Sequence, residues 1–461
     1  MKKKYGKYYL VIIIAIVALL FTWIYPSVTC SDVCEASKET VRAGIMDFFT
    51  MIYFSFYYRM NELFLLFAIG GCYGVLSQTK AYRKMIDKVS NFVEGRELIS
   101  TLVVTLVMGL YAAFCDQLLV LLIFVPFIIT VYLKAGRDRI TALMAAFGGM
   151  FIGTSGAILG THGIAGLALS MGLNVSTKVG VKIVMFIMSY VLFNLFAWFH
   201  MKKQTKLVDS TKYDMFTTEE LDEKGVKKYN KVNVWPTAIL MIVCAIIALL
   251  AFVNWKESFN VTLFSDSLTK FKTNADFLYH VVGDVDAFGD WTYIALSGVL
   301  VLFTLVIGLI NGRKEFLFHD FGKGMKKITK VAVMFGLVQI IFTISFVYGW
   351  AFNPTIAIIG TKFNVIKMLI AAMFISFFAV DPTLITYVLG LHFVTLFSEK
   401  LFLTSFIFTA GYSIIQVIAP TSFLLMIALT YLNVPYTKWL KEIWKYALCL
   451  LLMSIIIALV I

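Results

Sequence analysis

Charge and proline are both scarce in this chain: Asp, Glu, Lys and Arg make up 15% of its 461 residues, and proline occurs 7 times. Globular domains carry about a quarter charged residues and are about half apolar, whereas here 60% of residues are hydrophobic and the mean hydropathy is +0.86. No soluble core hides that much apolar surface, so a polytopic membrane protein is expected. The alternation of a membrane β-barrel is also missing. Several apolar runs exceed the roughly 20 residues that cross about 30 Å of hydrocarbon as a helix, so the expected fold class is all-α.

Other absences narrow the chemistry. The 6 cysteines are scattered, with neither a C-x-x-C pair nor zinc-type Cys/His spacing, so no structural metal is expected. Cys30 and Cys34 share a loop that permits but does not demand a disulfide; Cys72, Cys115, Cys244 and Cys449 fall in apolar spans as small packing residues. There is no P-loop for ATP and no H-E-x-x-H, and Gly153-Thr154-Ser155-Gly156 lacks the flanks of a serine nucleophile elbow. An intramembrane enzyme is therefore the weaker alternative. The net charge of +13 comes from lysines in loops rather than from one basic face, which points to topology control and away from nucleic acid.

Loop charges then trace a path through the bilayer. Met1-Lys2-Lys3-Lys4 precedes an apolar run from Tyr8 to Ile24 that is long for a signal peptide, so it reads as a retained first helix with a cytoplasmic N-terminus. The aromatic stretch Phe48 to Tyr58 reads as interfacial, ahead of a span from Glu62 to Gln78. Residues 98–133 are apolar except for Asp116 and Gln117 at the middle, and both flanks are basic. A re-entrant hairpin is favoured over two full spans because no polar connector marks an outside turn. A broken helix over 140–172 follows, interrupted at Gly160-Thr161, and the chain returns through Val179 to Phe199.

A lysine- and carboxylate-rich linker over 201–235 separates this first repeat, 1–200, from a second, 236–461. In the second, a hairpin over 366–397 turns at Asp381-Pro382-Thr383, and a broken helix over 401–431 is interrupted at Ala419-Pro420-Thr421-Ser422. Each break lies thirteen residues before a similar phrase, Leu173-Asn174-Val175 and Leu432-Asn433-Val434, and loop counting places the phrases on opposite sides of the membrane. That is the mark of an inverted repeat, the way many secondary transporters build a midplane site.

The candidate site residues follow from cost. A carboxylate in hydrocarbon costs about 2.5–3.5 kcal/mol on insertion scales, and neither Asp116 nor Asp381 has a basic mate within its own segment. Each reads either as a cap on a hairpin helix or as a contact for a coupling cation or cationic substrate, and the two roles are compatible. Helix breaks free carbonyls and N–H groups that can hold Na⁺ or a substrate carboxylate. Gly160, Thr161, Pro420, Thr421 and Ser422 stand at the breaks, with Thr154 and Ser155 supplying further hydroxyls. Gln117, His162, Thr383 and Gln416 complete the candidate set by position, His162 with a pKa suited to proton relay. No cofactor is expected beyond coupling Na⁺ or H⁺.

The order of hairpin, broken helix and Asn433-Val434-Pro435-Tyr436-Thr437-Lys438-Trp439-Leu440, preceded by Pro420-Thr421-Ser422, resembles the YfcC family of basic amino acid antiporters. These are relatives of the anaerobic C4-dicarboxylate carriers in the ion transporter superfamily. Gly163-Ile164-Ala165-Gly166-Leu167 is similar to the family's first-half sequence. The chain departs at the turns and breaks, with Cys115-Asp116-Gln117 in place of an acidic pair and Gly160-Thr161 and Ala419-Pro420 in place of Asn-Pro. The resemblance implies a cation-coupled symporter or antiporter in the cell membrane, carrying a small carboxylate-bearing metabolite, in the first place an amino acid such as arginine or ornithine. A C4-dicarboxylate or other organic anion is the alternative, less comfortable because no Lys or Arg lies near either break in sequence. Partners are a small-molecule substrate and the lipid bilayer, and a homodimer is left open.

Overall fold

A computed structural model describes the chain except residues 1, 26, 30–38, 205–213, 217–231, 275–276, 278–279, 282, 284–285, 379–380 and 383–384. Cys30, Cys34, Thr383 and most of the expected linker therefore lie outside the described residues. The fold is all-α apart from a ribbon in which β1 (Ser27–Thr29) pairs antiparallel with β2 (Glu39–Val41).

The chain begins with α1 (Lys2–Ile24), α2 (Ile45–Tyr58), α3 (Met60–Leu76) and α4 (Lys80–Val93). Between α2 and α3 the axis bends by 61° at Arg59, and the pair is apolar enough to count as one span. The stretch expected at the interface is thus the first limb of a bent helix, laid along a long helix of the C-terminal half. The amphipathic α4 starts at the N-cap Thr79, whose hydroxyl accepts the Tyr82 N–H at 3.3 Å.

Next come α5 (Glu97–Cys115), a 3₁₀ turn (Leu118–Ile123), α6 (Val125–Lys134), α7 (Arg139–Gly156), the short α8 (Gly166–Ser170) and α9 (Val179–Lys203). The elements α10 (Trp235–Leu250), α11 (Trp255–Phe259), α12 (Leu263–Asn274), α13 (Tyr293–Ile310), α14 (Leu317–Tyr348) and α15 (Phe352–Ile359) follow. The chain closes with α16 (Val365–Phe378), a π-helical turn (Ile385–Leu389), α17 (Gly390–Leu396), α18 (Leu401–Ile418), α19 (Phe423–Tyr431) and α20 (Tyr436–Val460).

Among the described residues, 7 helices are long and apolar enough to cross a membrane, or up to 8 with the bent pair. Two stretches share an order of elements: a long arm, a shorter arm, an interrupted helix and a crossing helix. In each, the long arm packs on the interrupted helix, α5 on α7 and α16 on α18, and the interrupted helices meet one another. The first arm of the first hairpin, α5, is long enough to cross by itself, whereas the ten-residue α6 is not.

Burial separates scaffold from centre. The most apolar window of α18–α19 is 94% buried, against 28% for α9, so the second interrupted helix is the axis of the molecule and α9 faces lipid. One close crossing anchors the frame. A Cβ on Gly74 or Gly324 would collide with backbone of the other helix, so α3 and α14 touch there main chain to main chain, as small residues allow in membranes. At one end, Asp138 caps α7 and faces His200 of α9 at 3.3 Å, while His200 also meets Glu442 of α20 at 3.1 Å.

Candidate functional site

A cavity of about 470 Å³ lies where the two hairpin tips, the first helix break and the α2–α3 bend converge. Its wall includes Asp116 and Gln117 from the first tip, Thr161, His162 and Gly163 from the first break, and Asp381 and Pro382 from the second tip. Arg59, Glu62, Tyr293, Gln339 and Tyr412 complete its polar lining.

Asp116 ends α5 with a left-handed backbone, φ 53°, which turns its carboxylate toward the first break. There Oδ2 accepts the N–H of Ala165 at 3.1 Å. Gly163 has φ 55°, and a Cβ there would sit on the Asp116 carboxylate, so only glycine fits both the backbone and the space. Asp116 thus caps the resumed helix after the break, a neighbour rather than its own returning arm.

Asp381 is held differently. Its Oδ2 accepts from Arg59 Nη2 at 2.5 Å, and Arg59 Nη1 reaches Glu62 Oε1 at 3.1 Å. The Arg59 guanidinium also lies 5.0 Å from the Phe342 ring centroid. The expectation that no arginine stands near the site is corrected here: Arg59 comes from 322 residues away in sequence, because the bend at the end of α2 turns it inward.

Around these charges, Tyr293 donates to Gln117 Oε1 at 2.6 Å, and Asn254 donates to Thr161 Oγ1 at 3.1 Å. Thr161 Oγ1 and His162 Nδ1 are 3.0 Å apart, and the His162 side chain is exposed. The structure therefore brings Asp116, Gln117, Thr161, His162 and Asp381 to one cavity.

Other candidates stand off its wall. Thr154 and Ser155 spend their hydroxyls on the helix carbonyls of Phe151 and Ile152, at 2.9 and 2.7 Å. Gly160 packs on Ala165 and Asp116. Past Pro420, Ser422 caps α19 through Leu425 N and donates to Gln416 Oε1 at 2.6 Å, while Thr421 is buried with its hydroxyl unpartnered. The second break is thus a packed turn, with Tyr436 and Trp439 donating to the carbonyls of Ile418 and Val417 and the Thr421 hydroxyl left unpartnered, and the first opens to the cavity. Among the described residues no group of three or more His, Cys, Asp or Glu is arranged to hold a metal ion.

Sequence reading missed Arg59, Glu62, Gln339, Tyr293 and Tyr412. A signal was present for three of them: Arg59 and Glu62, three residues apart, are the only charges between Phe48 and Leu76, and Gln339 interrupts the apolar run Val331–Phe346.

A family model described as the C4-dicarboxylate anaerobic carrier, DcuC, matches residues 6–461. The chain belongs to the DcuC family. It is accordingly a multi-pass membrane transporter, in a family of carriers rather than enzymes. An uncharacterised protein of Haemophilus influenzae is 19% identical over 413 residues, 87% of this chain and 75% of that protein. The crystal structure of the Alcanivorax borkumensis YdaH transporter covers 98% of both chains at 14% identity, with a TM-score of 0.41.

Proposed function

We propose that this DcuC-family chain is a secondary active carrier of an amino acid, coupled to or exchanging for a cation, with the 470 Å³ cavity as its binding site. The observation that carries the reading is the charge of that cavity: one guanidinium, Arg59, among three carboxylates, Glu62, Asp116 and Asp381. An α-amino acid brings a carboxylate for Arg59 and an ammonium for the acids, so both ends find a partner. A dianion would instead bring two further negative charges, and no ammonium, to a lining whose one guanidinium faces three carboxylates. Bidentate Arg–carboxylate recognition suits the first role, and Asp suits the second.

Alternating access of the two hairpin series about the cavity is the mechanism this reading implies. It includes opposite orientation of the two series, a cytoplasmic N-terminus in the cell membrane, and Na⁺ or H⁺ as the driving ion. Homodimeric assembly is compatible with it.

The family description favours a second reading, transport of a C4-dicarboxylate, and Arg59 supplies the cation such a substrate needs. In that case co-bound cations or protons must offset the acids. Uptake of radiolabelled arginine and succinate into proteoliposomes preloaded with ornithine, fumarate or nothing, with and without Na⁺ or H⁺ gradients, separates the two. Arginine uptake accelerated by internal ornithine supports the first; succinate uptake alone replaces it with the second.

A further inference from the structure

We infer that Glu62 and Gln339 form the subsite that reads the amine of the substrate, an inference that rests on the amino acid reading above and deepens it. Glu62 gives Oε1 to Arg59, but its Oε2 is buried with no hydrogen-bond partner. Gln339 is 2% exposed, and its Oε1 is likewise unpartnered. Both residues line the cavity, from α3 and α14, whose axes are locked together at the Gly74–Gly324 crossing.

The two open positions are therefore acceptors, and Arg59, which bridges Glu62 Oε1 and Asp381 Oδ2, leaves both unfilled. An ammonium offers three donors and no acceptor, whereas a carboxylate offers only acceptors. A site built to hydrogen-bond a substrate group rejects the analogue that lacks it, because its own polar atoms are then left bare. Glu62 and Gln339 would thus separate amine-bearing acids from amine-free ones of similar size.

The test is competition in proteoliposomes, with succinate displacing radiolabelled arginine from wild-type, Glu62→Gln and Gln339→Leu chains. The expected result is a fall of at least tenfold in the arginine-to-succinate affinity ratio for Glu62→Gln, and a smaller fall for Gln339→Leu. An unchanged ratio in a variant that elutes as the wild type does on gel filtration overturns the inference. Failure of the wild-type chain to take up arginine would instead overturn the amino acid reading itself, before any variant is measured.

We also propose that residues 214–216 are a gate on the side of the membrane where the linker lies. Phe216 belongs to the charged segment between the halves yet is 2% exposed. Its ring centroid lies 5.8 Å from that of Tyr73 on α3 and 6.4 Å from that of Tyr431 on α19, with Lys327 Nζ of α14 at 5.9 Å. Asp214 Oδ2 accepts from Thr130 of α6 at 2.6 Å. One short strap therefore pins helices from both halves of the chain. Tyr431 and Lys327 each lie eight residues along their helices from cavity residues Phe423 and Phe335. At 1.5 Å per residue the plug sits about 12 Å from the cavity along that path. A substrate leaving toward the linker side would have to displace it.

A disulfide between Asp214→Cys and Thr130→Cys, in a chain whose native cysteines are replaced, tests the gate with whichever of arginine or succinate the wild type takes up. Oxidation should cut uptake at least tenfold and reductant should restore it. A cross-linked carrier as active as the reduced one, or a pair that will not cross-link, overturns the proposal. Independently, Phe216→Ala should raise maleimide labelling of Thr430→Cys at least threefold; unchanged labelling counts against the gate.

Discussion

The two hairpin tips place an aspartate at the same point of the same series of elements, yet the two carboxylates are held by unlike means. Asp116 rests on backbone, accepting the N–H of Ala165 where the helix resumes after the first break. Asp381 rests on a side chain, the Arg59 guanidinium delivered by a helix bend. A buried carboxylate can be satisfied either way, but the consequences differ. The backbone solution holds Asp116 through a main-chain N–H, while the ion pair joins side chains 322 residues apart and, on the amino acid reading, is the one a substrate carboxylate would exchange with. The first tip is accordingly the better candidate for a structural cap, and the second for a part that changes partner during transport.

The largest expected effect comes from removing the shared cation. Arg59→Met leaves Glu62 and Asp381 as uncompensated acids on the cavity wall, and because these pairs are part-buried the loss should stay below the roughly 3–5 kcal/mol of a fully buried pair. Thermal unfolding of the detergent-solubilised protein should show the loss, and uptake should fall to background. Normal uptake by this variant would end the view of the second tip as the working one.

Asp381→Asn comes next. It leaves Arg59 with Glu62 as its remaining charged partner, so uptake should drop by about two orders of magnitude, near 2.7 kcal/mol in rate terms, with a smaller loss of stability. If Asp116→Asn did the same and Asp381→Asn did not, the assignment of the two tips would be reversed.

Gly163→Ala tests the backbone side. A residue with a Cβ at φ 55° costs about 1–2 kcal/mol, and the added methyl also displaces the Asp116 carboxylate. A lowered melting temperature with a parallel fall in transport is expected, and a neutral substitution would show that the first break is looser than its geometry implies.

The smallest effect is expected from Asp116→Asn, which keeps an oxygen for the Ala165 N–H and should cost about 1 kcal/mol or less. Uptake and ion dependence compared with wild type check it. A complete loss would make Asp116 a cation ligand as well as a cap.

Much of the architecture was legible from composition alone. Low charge and long apolar runs demand a helical membrane protein, since backbone groups in hydrocarbon must be satisfied within each segment. The interruptions at 157–162 and 419–422 lie where glycine, hydroxyl residues and Pro420 crowd the chain. Arg59 and Glu62 were visible as isolated charges, but hydropathy treats an arginine at a bilayer edge and one turned into a cavity alike. The second break shows the opposite limit: its Gln416, Thr421 and Ser422 look like ligands by type, and the structure spends Gln416 and Ser422 on each other.

What the sequence determined by itself, then, is a helical bilayer protein whose helices are interrupted where glycine, hydroxyl residues and proline crowd the chain, because hydrophobicity and helix-breaking residues act over a few neighbours. Only the tertiary structure decided which polar groups face one another. The pairing of Arg59 with Asp381 spans 322 residues, and its partners are chosen by helix packing and a 61° bend rather than by any local rule.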